Sequence, residues 1–147
     1  MKIIIVGAVA AGATLATSLR RLDENIEIVM YEKDRYMSLV TANCPTTYHT
    51  LLMIAKIWSI GTARVLPKDY NIRAKNYHQV LAIDKENKSI KVLGKKSGLE
   101  FEESYDYLVL TTGVHSNVPE SIKGTDKDHV FTIRSVVDVE NIRTYYG

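Results

Sequence analysis

The order of hydrophobic and polar positions at the start of the chain predicts a strand, a helix and a second strand. "KIIIVG" is a short apolar, β-branched run closed by glycine, which is typical of a buried parallel strand. In "AVAAGATLATSLRRLDEN", small residues are followed by Leu15, Leu19 and Leu22 at helical spacing. "IEIVMYEK" indicates the second strand, which ends at Glu32. The chain therefore begins with a predicted βαβ unit.

The rest of the chain holds an irregular stretch and then further strands. Residues 39–61 show neither clear helical nor clear strand periodicity. "QVLAID" and "SIKVLG" alternate around "KEN", which predicts a β-hairpin. "FEESYDYLVLTTG" ends in an apolar strand and a glycine turn, "HVFTIRS" is a last predicted strand, and "VVDVENIRTYYG" begins a helix or a tail. We expect an α/β fold in which the helix after Gly7 flanks a parallel sheet, with a small antiparallel hairpin around residues 84–91.

The segment "GAVAAG" carries the candidate chemistry, because it joins the first strand to the helix. Gly7 and Gly12 match the outer glycines of a dinucleotide-binding fingerprint, and Val9 replaces the middle one. Free N–H groups at the helix start can hold a pyrophosphate, and Glu32 can accept hydrogen bonds from a ribose diol. These features leave NAD and FAD open as ligands. The strand and turn "YDYLVLTTG" favour FAD, because such a strand returns beside the first one in flavoproteins that bind two dinucleotides.

Composition narrows the function classes. The 147 residues suffice for one domain with a real core, and 46% hydrophobic with 24% charged residues is typical of a globular protein. A net charge of +2 does not indicate a nucleic-acid surface. The single cysteine excludes an intrachain disulfide, and with four scattered histidines no metal site is expected. No apolar run reaches membrane-spanning length and no signal peptide is visible, so we expect a cytoplasmic protein.

The chain resembles the N-terminal part of coenzyme A-disulfide reductases, which belong to the pyridine nucleotide-disulfide oxidoreductases. The resemblance rests on "IIIVGAVAAGATLATSLRRLDENIEIVMYEKDRYMS", "YHQVLAID", "EFEESYDYLVLTTGVHSNVP" and "HVFTIRSVVDVENI". It implies a Rossmann-type FAD-binding domain, the cofactors FAD and NAD(P)H, and a homodimer. It also implies one redox cysteine that forms a mixed disulfide with coenzyme A. Relative to that family, residues 1–147 are expected to be a truncated FAD/NAD(P)-binding domain without the separate NAD(P) and dimerisation domains.

The resemblance also assigns individual positions. Residues at the glycine turn would line the FAD pyrophosphate, Glu32 and Lys33 would meet the adenosine ribose, and Val80 the adenine. The turn residues are Gly7, Ala8, Val9, Ala10, Ala11 and Gly12, and the residues expected near the flavin are Thr111, Thr112 and Gly113. Coenzyme A contacts fall on Thr14, Ser18, Arg21 and Ser38, where the arginine suits a phosphate.

The chain departs from the family at the redox segment. Aligned without gaps from Ser38, the family's cysteine falls on Ala42, whereas the only cysteine here is Cys44. Read one frame over, the back-translated codons permit a cysteine at position 42 and an asparagine at position 41, and they force a leucine at position 44. We therefore hypothesise that residues 39–61 are a frame-shifted passage. Because Cys44 lies two residues along from the expected position, it is a weak candidate for a redox nucleophile and is more simply a stray thiol.

Two functions follow from these observations. The first is enzymatic by ancestry: an FAD-binding fragment of a coenzyme A-disulfide reductase, which carries out NAD(P)H-dependent disulfide reduction. The second is a non-catalytic nucleotide-binding module or gene remnant, which is what we expect of this polypeptide alone. Bound flavin absorbance and turnover of coenzyme A disulfide distinguish the two.

Overall fold

A parallel sheet of four strands forms the centre of the fold. The structure, a computed structural model, describes residues 1–37, 66 and 68–146. Its strands are β1 (Lys2–Val6), β2 (Glu27–Glu32), β3 (Ile72–Asn76) and β7 (Tyr107–Leu110). The sheet has the order β3-β2-β1-β7, with all neighbouring pairs parallel. The predicted βαβ unit and the return of the "YLVL" strand beside the first strand are confirmed.

Helix α1 (Ala10–Leu22) covers one face of this sheet. Its small buried residues Gly12, Ala13 and Ala16 let the helix axis approach the strands closely. Leu15 and Leu19 pack on the core formed with β1 and β2, as their spacing predicts. Leu22 does not, because it stands in the last turn and is 82% exposed.

A second, antiparallel sheet covers part of the other face. It contains β4 (His78–Asp84), β5 (Ser89–Gly94) and β6 (Glu100–Ser104) in the order β4-β5-β6. The predicted hairpin is confirmed as β4 and β5, and "FEES" adds a third strand that the pattern had merged with β7. Ile90 and Val92 of β5 pack on Ile4 and Val29 of the parallel sheet to form a second core.

Arg20 joins the end of α1 to the starts of β2 and β3. Its guanidinium donates to the carbonyl oxygens of Ile26 at 2.6 Å, Tyr70 at 2.8 Å and Asn71 at 3.0 Å. One side chain therefore satisfies acceptors from separate loops, while the neighbouring Arg21 is exposed.

The predicted strand "HVFTIRS" is wrong, because residues 129–135 form no strand. Arg134 and Ser135 instead directly precede helix α2 (Val136–Tyr146), and both backbone N–H groups donate to the Asp138 carboxylate. The Ser135 hydroxyl also donates to that carboxylate, which completes a helix-capping arrangement. The apolar alternation of the segment was compatible with a strand, but no described strand lies beside it for pairing. Strand β3, in contrast, was not separately predicted, because "IRAKN" carries little hydrophobic pattern.

Candidate functional site: a cleft at the carboxyl ends of the parallel strands

A cleft of about 640 Å³ opens where β1, β2 and β7 end and β4 begins. In open parallel sheets, ligands bind outside the carboxyl ends of the strands, so this is the expected edge. The volume lies within the usual range of small-molecule sites. The cleft is the natural place to look for the predicted dinucleotide site.

Glycine is required at both outer positions of the turn after β1. Gly7 has a φ of +101°, and a Cβ there would lie 2.3 Å from the Thr111 carbonyl oxygen. A Cβ on Gly12 would lie 2.0 Å from the Gly7 carbonyl oxygen. The Thr111 hydroxyl donates to that same oxygen at 2.8 Å. The turn, the helix and the end of β7 therefore meet at a distance that excludes side chains.

The first turn of α1 presents unoccupied hydrogen-bond donors to the cleft. Val9 occupies the N-cap position and makes no side-chain hydrogen bond to the helix. The first N–H groups of a helix have no intrahelical acceptor, and no side chain among the described residues supplies one here. Val9, Ala10 and Ala11 all line the cleft. Small side chains and outward N–H groups at the positive end of the helix form a cradle suited to an anion such as a pyrophosphate.

Glu32 forms the acidic side of the cleft at the end of β2. It is 6% exposed, and its Oε2 accepts the Ala8 N–H at 2.9 Å while its Oε1 accepts the Asp34 N–H at 3.2 Å. These bonds hold the carboxylate beside the glycine turn. Each oxygen keeps lone-pair capacity toward the cleft, so acceptance from a ribose diol stays compatible with the geometry. The link from Glu32 to the turn backbone was not predicted.

Most predicted cofactor residues meet at this cleft, whereas the three predicted coenzyme A residues that the structure describes do not. Of the predicted cofactor residues, Ala8 and Gly12 are buried behind the cleft. The others line it: Gly7, Val9, Ala10, Ala11, Glu32, Lys33, Val80, Thr111, Thr112 and Gly113. Thr14, Ser18 and Arg21 are exposed along α1 and do not line the cleft. Ser38, Ala42 and Cys44, with the whole passage 39–61, lie outside the described residues.

The cleft wall also contains residues that sequence patterns did not select, and they come from distant segments: Tyr36, His78, Gln79, His115, Arg134 and Val137. The guanidinium of Arg134 lies over Gly113, with its Nη2 2.7 Å from where a Cβ would stand. His78 and Gln79 could have been flagged as neighbours of Val80, but the others share no motif. Only the tertiary fold brings them to the same place.

Tyr36 closes the side of the cleft against α2. Its ring packs on Val137 and Val139, and its hydroxyl donates to the Glu140 carboxylate. Burial, reinforced by the hydrogen bond to Glu140, raises the pKa of Tyr36 to about 12. Tyr36 therefore stays protonated at all ordinary pH values and serves as a neutral wall residue.

Neither a metal site nor a membrane-spanning helix occurs among the described residues. Within 1–37, 66 and 68–146, no group of three or more His, Cys, Asp or Glu side chains could hold a metal ion. In the same part of the chain, no helix is both long and apolar enough to cross a bilayer.

The fold and the cleft define the class of protein. A parallel sheet with β1, α1 and β2 joined by a glycine turn, a carboxylate at the end of β2, and an added antiparallel sheet form a Rossmann-type FAD-binding domain. The predicted fold class is therefore confirmed.

The chain belongs to the pyridine nucleotide-disulphide oxidoreductase family, whose model matches residues 1–145. It is 38% identical over 141 residues to coenzyme A disulfide reductase of Staphylococcus aureus, covering 96% of this chain and 31% of that protein. Among solved structures, it is similar to the reduced CoADR-RHD of Bacillus anthracis, with a TM-score of 0.85 and 33% identity over 98% of this chain and 26% of that one. The NAD-dependent persulfide reductase of A. fulgidus is similar with a TM-score of 0.84 and 28% identity, over 99% of this chain and 27% of that one. The predicted family is confirmed, and this chain spans about a third of the length of the curated relatives it matches.

Proposed function

We propose that this chain binds FAD in the cleft, as the FAD-binding part of a flavoprotein of the coenzyme A-disulfide reductase type. The observation that carries the proposal is the convergence of the glycine turn, the uncapped start of α1 and the Glu32 carboxylate on one cleft. Family membership supports FAD over other dinucleotides.

Each part of FAD has a counterpart among the cleft residues. The N–H groups at the start of α1 would bind the pyrophosphate, and Glu32 with Lys33 would meet the adenosine ribose. Val80 would contact the adenine, and Thr111, Thr112 and Gly113 would lie near the ring system. When bound, FAD supplies redox chemistry between a pyridine nucleotide and a disulfide. The chain's own contribution is to bind and orient the dinucleotide.

Turnover by this polypeptide is not part of the proposal. A redox cysteine must place its thiolate at the flavin, and the position aligned with the family's cysteine is Ala42, which has no sulfur. We expect no NADPH-dependent reduction of coenzyme A disulfide; a robust rate would contradict this and would restore the enzymatic function. A coenzyme A disulfide substrate, a homodimer and the coenzyme A contacts at Thr14, Ser18, Arg21 and Ser38 stay predictions from the resemblance. A cytoplasmic location stays a prediction from the sequence.

The binding proposal is tested with a charge placed in the cradle. Ala11→Glu puts a carboxylate in the first turn of α1, where it favours the helix but repels a pyrophosphate. Two like charges about 4 Å apart repel by roughly 1 to 4 kcal/mol between aqueous and near-surface conditions, so FAD affinity should fall about fivefold or more. Thr14→Glu is the matched control, because Thr14 lies one turn further along the same helix, is exposed and does not line the cleft.

The measurement is titration of FAD followed by its fluorescence, with thermal unfolding to confirm that each variant folds. We expect binding by the wild type and by Thr14→Glu, and strongly weakened binding by Ala11→Glu. A wild type that binds neither FAD nor ADP would refute the proposal. Equal affinities for the wild type and Ala11→Glu would show that the dinucleotide binds elsewhere.

A further inference from the structure

The two walls of the cleft belong to different sheets. The glycine turn and Glu32 follow strands of the parallel sheet, whereas His78, Gln79 and Val80 begin β4 of the antiparallel sheet. A ligand that touches both walls needs their separation to be fixed before it binds. Whatever holds one sheet against the other therefore sets the shape of the cleft.

Tyr31 stands where the two sheets meet the cleft. Its backbone carbonyl accepts the Gly7 N–H at 2.8 Å, so it is tied to the glycine turn. The residue as a whole is 1% exposed, and its ring centroid lies 6.1 Å from that of His78 and 6.4 Å from that of Phe101. His78 and Phe101 are themselves in edge contact at 6.0 Å. This three-ring cluster supports the start of β4 from behind.

Glu103 of β6 holds the outer end of the Tyr31 side chain. The Tyr31 hydroxyl donates to Glu103 Oε2, and Lys75 Nζ lies 3.4 Å from the same oxygen. Lys2 Nζ lies 2.7 Å from Glu103 Oε1. The Glu103 side chain is only 13% exposed, and it brings a residue of the antiparallel sheet into contact with β1, β2 and β3. Burial, with Arg73 and Lys2 nearby, lowers the pKa of Lys75.

We infer that Glu103 is a positioning residue that, through Tyr31 and His78, fixes the His78–Val80 wall of the cleft relative to the glycine turn. The inference rests on the proposed function, because it concerns the fit of a dinucleotide to both walls. Glu103 itself does not line the cleft. Its effect must therefore be selective: ligands that touch both walls should depend on it, and ligands that touch only the glycine turn should not.

The test compares Glu103→Ala, Glu103→Gln and Tyr31→Phe with Glu102→Gln. Glu102 is the neighbouring exposed carboxylate on the opposite face of β6 and serves as the control. ADP probes both walls, and inorganic pyrophosphate probes the turn alone. We expect Glu103→Ala and Tyr31→Phe to lower the affinity for ADP about tenfold or more, and the affinity for pyrophosphate by less than about twofold. Glu103→Gln should retain most of the affinity, because its amide oxygen still accepts from the Tyr31 hydroxyl, and Glu102→Gln should match the wild type.

Amide hydrogen exchange on the ligand-free protein provides a second readout that needs no binding. We expect exchange at residues 78–80 to accelerate about tenfold or more in Tyr31→Phe, while residues 3–5 of β1 keep their protection. Tyr31→Phe serves if Glu103→Ala does not fold. Equal losses of ADP and pyrophosphate affinity, or uniform exchange across both sheets, would reduce Glu103 to a general stabiliser and overturn the inference. Unchanged exchange at residues 78–80 would overturn the inference about Glu103, whether or not the wild type binds nucleotide. A wild type that binds no nucleotide would refute the proposed function, which is a separate result.

Discussion

Replacing Gly7 by alanine tests whether the glycine turn is shaped by close contact as well as by backbone conformation. A side chain at position 7 faces two separate costs. The backbone has a φ of +101°, and the added Cβ would meet the carbonyl oxygen of Thr111 at 2.3 Å and its carbonyl carbon at 2.7 Å. Gly98 offers a matched control, because it has a φ of +71° but no atom within 4 Å of its Cβ position.

The magnitudes follow from these two contributions. Holding alanine at positive φ costs about 1–2 kcal/mol of stability at either position. Overlap with the backbone at the end of β7 adds about 1–3 kcal/mol at position 7 alone, because a strand rather than a flexible side chain must move. Gly7→Ala should therefore lose about 2–5 kcal/mol and Gly98→Ala about 1–2 kcal/mol.

Thermal unfolding of the ligand-free proteins, followed by circular dichroism, measures the difference. At about 2–4 °C per kcal/mol for a chain of this size, Gly7→Ala should melt roughly 2–12 °C below Gly98→Ala. Ligand is left out so that lost binding does not add to the shift. Equal melting temperatures for the two variants would show that the contact between Gly7 and Thr111 contributes nothing, and the account of the turn would be refuted.

Two further predictions concern the scaffold around the cleft. Arg20→Ala should destabilise the protein by about 2–4 kcal/mol in urea unfolding, because it leaves the partly buried carbonyl oxygens of Ile26 and Tyr70 without their charged donor. Arg21→Ala, at an exposed position, should change the free energy of unfolding by no more than about 0.5 kcal/mol. Similar losses of stability in the two variants would contradict the role given to Arg20. The pKa of Tyr36 is raised to about 12 from 10.0. The stability that the protein gains from protonated Tyr36 is therefore complete below pH 10 and is lost as the pH rises toward 12. The stability advantage of the wild type over Tyr36→Phe should therefore shrink across that window in alkaline unfolding titrations, and a constant difference would count against the raised pKa.

Local pattern was sufficient for the elements that have a strong hydrophobic period. The first βαβ unit was predicted from the run Ile3, Ile4 and Ile5, the glycines at 7 and 12, and Leu15 and Leu19 of α1, because each of these residues serves both the local element and the core. The same local consistency predicted the β4–β5 hairpin. It failed at residues 129–135, where the apolar alternation is present but none of the strands that the structure describes lies alongside for pairing.

The sequence by itself determined that the chain folds around a glycine turn, which is followed by a helix and by a strand that ends in an acidic residue. Local pattern suffices for this, because the steric limits at Gly7 and Gly12 and the spacing of the core residues act over short distances along the chain. Tertiary structure decided what surrounds that turn. Thr111 packs against Gly7, Arg134 lies over Gly113, and Glu103 supports the opposite wall through Tyr31. These contacts join residues far apart in the chain, and no local period records them, because they depend on how the two sheets pack.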